Sequence, residues 1–76
     1  MIGSMKYTVI LEKGALSDWG AWVPDLPGCV AVGKTREEVS QSIHEAIEFH
    51  LEGMREDGNP IPAPSSTAIV VEIPAA

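Results

Sequence analysis

The stretch "WVPDLPGCVAVGKTREEV", residues 22–39, places two prolines, two glycines and the only cysteine between apolar runs, then turns acidic. Proline presets φ and a following glycine accepts a positive φ, so "DLPG" is turn chemistry. "GCVAVG" (28–33) reads as a short buried strand bounded by glycines. At Thr35 the period changes. "TREE" fits a capping box, in which the threonine hydroxyl takes the Glu38 amide and the Glu38 side chain reaches back. The stretch is strand, turn, strand and helix start, in that order.

Outward from it, "MKYTVILE" (5–12) is β-branched and aromatic and alternates along Tyr7, Val9 and Leu11, the pattern of a strand. "KGALSDWG" breaks it, and "WGAWVP" (19–24) predicts a second strand closed by Pro24, which cannot donate to a central ladder. Three strands at hairpin spacing predict an antiparallel meander. After Thr35, Val39, Ile43, Ala46, Ile47, Leu51 and Met54 recur at helical spacing. Glu37, Glu45, Glu48, Glu52, Arg55 and Glu56 take the opposite side, and "EDGNP" stops the helix with Gly58 and Pro60. "IPAPSS" is a stiff connector, and "TAIVVEI" (67–73) predicts a final strand. The expected fold is α+β, ordered β-β-β-α-β, an antiparallel-rich sheet with one helix on one face. Residues 1–4 read as an expression leader and 5–76 as a single domain.

A domain of 76 residues buries only about 60% of the surface its unfolded chain exposes. Such domains lean on disulfides, metal or self-association. One cysteine, Cys29, makes no intramolecular disulfide and no thiolate zinc site. With 45% hydrophobic residues, self-association is the remaining device. The net charge of −6, from 11 acidic and 5 basic residues, argues against nucleic-acid binding, which needs cations to displace counterions from phosphates. It favours a basic partner. No apolar run approaches the ~20 residues of a membrane span, so the expected location is the cytoplasm.

Each reactive side chain has a bland reading beside the chemical one. Cys29 in a glycine-flanked apolar strand is a small core residue before it is a nucleophile. His44 and His50 point ~120° apart on a helix and cannot share a metal as an i, i+4 pair would. His50 is expected to be half-buried and hydrogen-bonded, and nothing marks His44. The carboxylates form no converging cluster of the kind two-metal hydrolysis needs, and Gly28 and Gly33 lack nucleotide-fingerprint spacing. The expectation is no catalytic residue, no cofactor and no metal. What is left over is apolar surface. Strand alternation sends Ile10 opposite to Val9, and Val70 opposite to Ile69 and Val71, so the sheet keeps a face for a partner.

The order Tyr7-Thr8-Val9, Trp22 to Cys29, Gly33 to Val39, Ile47 to Glu52 and Ile61 to Pro64 resembles the HicB antitoxin family. The resemblance covers nearly all of residues 5–73, most specifically Pro24-Asp25-Leu26-Pro27-Gly28-Cys29 followed by Gly33, Thr35 and Glu38. It implies a reduced ribonuclease H-like fold without the metal-binding acids. It also implies a partner, a small basic RNA-cleaving toxin of the HicA type that the protein would occlude. Longer members carry a C-terminal DNA-binding module that this sequence does not include, so direct nucleic-acid binding by this chain is not expected. The alternatives are a stand-alone regulatory or structural oligomer without a toxin, and a residual metal-dependent RNase. A homodimer or homotetramer is expected. The candidate partner-binding residues are Trp22 and Val70, from the surplus apolar face, with Asp25 and Leu26 of the turn.

Overall fold

The computed structural model describes residues 4–16 and 18–75. The leader assigned to residues 1–4 thus lies largely outside the described residues. Three strands, β1 (Ile10–Lys13), β2 (Trp19–Trp22) and β3 (Val30–Gly33), form an antiparallel sheet ordered β1-β2-β3, and one helix, α1 (Arg36–Glu56), packs on it. The protein is α+β, as the periodicities predict.

The segment 23–29 that joins β2 to β3 folds as two successive β-turns. Leu26 N–H donates to the Val23 carbonyl and Cys29 N–H to the Leu26 carbonyl, both at 3.1 Å. Pro24 and Pro27 each take the second position of a turn, and Gly28 supplies a φ of 85° after Pro27, which makes the second turn type II. Between the turns Leu26 points inward, 1% exposed. It joins Ala21, Val23, Cys29, Val39, Ile43 and Leu51 in the core.

The helix starts and stops as its sequence dictates. Glu38 N–H donates to Thr35 Oγ1 at 3.0 Å, and Glu37 and Glu38 sit at the positive end of the dipole. At the other end Asn59 N–H reaches the Met54 carbonyl and Gly58 N–H the Arg55 carbonyl, with Gly58 at φ 72°. That is a Schellman stop. Val39, Ile43 and Leu51 are buried. A Cβ on Gly33 would lie 2.8 Å from the Val39 backbone nitrogen, so glycine lets α1 approach β3 closely.

Three expectations need correction. First, the ladder of β1 begins at Ile10, not at Met5. Continuing the register Ile10↔Trp22 would set Thr8 opposite Pro24, whose nitrogen carries no hydrogen to donate. Second, β3 is covered on one face only, with Val30 64% and Val32 78% exposed. Third, residues 67–73 form no strand: 59–75 carry neither helix nor strand. The sequence there is strand-like, but β-propensity expresses fit to a half-buried pleated surface, and within one copy these residues meet none.

Candidate partner-binding surface

The register divides the sheet into an inner face under α1 and an outer face without a cover. Ile10, Trp22 and Val30 are mutual neighbours across the outer face, and Glu12, Gly20 and Val32 form the adjoining row. Trp22, 43% exposed at the centre, donates from Nε1 to Glu12 Oε1 at 2.7 Å. The bond ties the indole of β2 to the neighbouring β1 and sets a carboxylate beside an apolar patch. Aromatic anchors of this kind, with apolar neighbours and a charged rim, are what protein partners bury most productively.

The other three candidate residues fall in different places. Leu26 is core and presents no surface. Asp25 is held within the chain: its Oδ2 accepts the Ser65 and Ser66 amides at 2.9 and 3.0 Å, and its Oδ1 accepts their hydroxyls at 3.1 and 2.8 Å. These donors, the Ser66 amide foremost, lower its pKa from 3.8 to about 2. Val70 is wholly exposed, on the tail and away from Trp22's sheet. The structure therefore leaves Trp22, Asp25, Leu26 and Val70 dispersed over an outer face, an internal clamp, the core and a free segment.

Reading the sequence missed the clamp and the valines of β3. The valines had a signal, since Val30 and Val32 share one parity and one parity of an antiparallel strand faces outward. The clamp had none, because Asp25 lies forty residues from Ser65. Next to it Thr8 Oγ1 donates to the Ser66 carbonyl at 2.6 Å, and the Tyr7 hydroxyl donates to the Pro62 carbonyl. Residues 61–66 are thereby tied to the body, with Ile61 packed on the core.

The remaining titratable groups do not gather. Cys29 is buried, and desolvation pushes its thiol pKa up, the reverse of an activated nucleophile. His44 is exposed and pairs with Glu48 at 3.2 Å. His50 borders a shallow depression with Cys29, Phe49 and Met54. Among the described residues no three of His, Cys, Asp and Glu converge to hold a metal ion, and no helix is long and apolar enough to cross a membrane.

Residues 7–75 match the model of a family described as the HicB_like antitoxin of bacterial toxin-antitoxin systems. A UPF0150 protein of Thermoplasma acidophilum is 39% identical over 67 residues, 88% of this chain and 97% of that one. A protein from the rep-hol intergenic region of Haemophilus phage HP1 is 41% identical over 58 residues, 76% of this chain but only 43% of its own length. Among solved structures, the N-terminal domain of the Burkholderia pseudomallei antitoxin HicB superposes with a TM-score of 0.70 at 32% identity, over 78% of this chain and 69% of that one.

Proposed function

The chain belongs to the HicB-like antitoxin family, and from that premise we propose that it binds and occludes a small basic RNA-cleaving toxin of the HicA type. The observation that carries this reading is the outer sheet face: Trp22 between Ile10 and Val30, with Glu12 at its edge, on a protein of net charge −6. A basic partner is drawn in by the overall field and held by burial of the apolar centre. A nuclease surface that binds RNA is necessarily cationic, so an acidic protein competes for it directly.

The same reading makes the protein a cytoplasmic binding protein rather than an enzyme, and its three-stranded sheet the remnant of a ribonuclease H-like fold. Support for the first point is the scatter of the carboxylates, since α1 carries its acids on the solvent side and Asp25 spends both oxygens on Ser65 and Ser66.

The test is titration of this protein into a HicA-type toxin encoded beside it, followed by calorimetry and by RNA cleavage. Binding that suppresses cleavage and weakens with added salt is expected. Trp22→Ala should weaken it by about 2 kcal/mol or more, as for a buried aromatic anchor, while the helical circular dichroism stays unchanged. Undiminished RNA cleavage at saturating antitoxin refutes the reading, and full binding by Trp22→Ala refutes the face.

A further inference from the structure

The outer face of the sheet has a notch in it. Cross-strand pairing sets Glu12, Gly20 and Val32 in one row, and the middle residue of that row carries no side chain. A Cβ built on Gly20 would meet only the Glu12 carbonyl oxygen, at 4.0 Å. The space above the glycine is therefore open. Its backbone is ordinary strand, so the fold itself does not require glycine there.

What surrounds the notch is chemically mixed. Trp22, Val30 and Val32 line it together with two acids, Glu12 and Asp18. The indole N–H is satisfied at its edge, by Glu12 Oε1 at 2.7 Å, which leaves the π face of the ring to a ligand. Among the described residues no donor reaches the second oxygen of Glu12, Oε2. Lys13 also borders the depression, but alternation along β1 turns its side chain to the opposite face. Lys34 follows Val32 on the outer parity and lies outside the lining. The notch thus offers a flat aromatic wall, a carboxylate oxygen at its rim and apolar walls between, without a cation of its own.

We propose that the notch over Gly20 receives an arginine side chain presented by a basic protein partner. The guanidinium stacks on the Trp22 indole and donates to Glu12 Oε2, while its methylenes lie along Val30 and Val32. Arginine suits the place better than lysine. Its planar, weakly hydrated head stacks and donates from its edge at once, whereas an ammonium does one or the other. The net charge of −6 draws such a side chain in. The inference deepens the toxin reading and rests on it for the partner, but the notch itself is testable without a toxin.

The probe is an acetylated, amidated pentapeptide of alternating alanine and arginine, beside versions carrying lysine or citrulline in place of arginine. Each is titrated at low ionic strength into the full chain, and the Trp22 Nε1–H resonance is followed by NMR. The arginine peptide should give a saturable shift in the millimolar range that weakens with added salt. The lysine peptide should bind about 3-fold or more weaker, and the neutral citrulline peptide should leave the resonance in place. Glu12→Gln keeps an acceptor for the indole N–H and should weaken the arginine peptide about 5-fold. Gly20→Val fills the open space and should abolish the saturable shift while helical circular dichroism stays unchanged. Equal binding of the citrulline or lysine peptide, or undiminished arginine binding by Glu12→Gln, overturns the proposal. A toxin that binds while the arginine peptide leaves Trp22 unmoved overturns the notch and spares the toxin reading. An arginine response without toxin binding supports the notch and removes that reading.

Discussion

Residues 28–33 and residues 67–73 are both short β-branched runs, yet one is a strand and the other is not. Val30–Gly33 pairs with β2 and lies under α1, whereas Thr67–Ile73 pairs with nothing in its own copy. Composition does not separate them. What differs is the presence of a neighbour: the double turn returns β3 to the side of β2, and the Asp25 clamp releases the tail into solvent. Local sequence confers the readiness to form a strand, and the partner decides whether one forms.

If that is right, equal truncations in the two regions have unequal effects. Leu26→Ala empties a site 1% exposed at the centre of the double turn and should cost about 2–5 kcal/mol. A chain of this length holds only about 4–11 kcal/mol in all, so the variant should be largely unfolded at moderate urea. Val70→Ala should change the unfolding free energy of the single copy by less than about 0.5 kcal/mol. Urea denaturation of both variants, followed by circular dichroism, makes the measurement. Comparable losses in the two would break the contrast.

A smaller effect sharpens it. Gly33→Ala puts a methyl 2.8 Å from the Val39 nitrogen and 3.2 Å from its Cβ. α1 must then shift on β3, at about 1–3 kcal/mol. Gly53, with nothing near its Cβ position, gives the opposite sign: Gly53→Ala in the last turn of α1 should stabilise by about 0.5–1 kcal/mol. Thermal melts of the two variants decide the matter. A neutral Gly33→Ala would mean that close helix approach is not what the glycine is for.

How much of this could be read beforehand follows the same division. A turn at Pro27-Gly28, the Thr35 cap, the Gly58 stop and the helix face with Val39, Ile43 and Leu51 are each set within a few residues of one another and could be read, although the turn proved to be two in succession. The surplus apolar surface was also legible, as Ile10 and Trp22 on the uncovered face demonstrate. Two things were not. Whether 67–73 is paired depends on a neighbour the local pattern cannot name. Asp25 looked like an exposed turn acid because its partners, Ser65 and Ser66, are brought to it only after the helix has reversed the chain. The candidate residues dispersed for that reason: Trp22 and Val70 share an apolar character, not a location.

The smallest effect concerns the boundary between the two regions. Four donors hold the Asp25 carboxylate and lower its pKa from 3.8 to about 2. A carboxylate whose folded pKa is depressed contributes its stabilisation above the unfolded value and loses it as pH falls through the folded one. The clamp is therefore intact above pH 4 and opens on approach to pH 2. The Ser65 and Ser66 amide resonances should titrate with a midpoint near 2, as the carboxyl takes its proton and gives up its amide donors. Above that midpoint the tail root stays fixed at Ser65 and Ser66. Asp25→Asn has no proton to take and should abolish the titration, shifting both amides at neutral pH because a charged acceptor becomes a neutral one. A Ser65–Ser66 midpoint at the ordinary aspartate value of 3.8 would mean that the clamp is not formed in solution, and that the tail hangs from a loose connector instead of a fixed point.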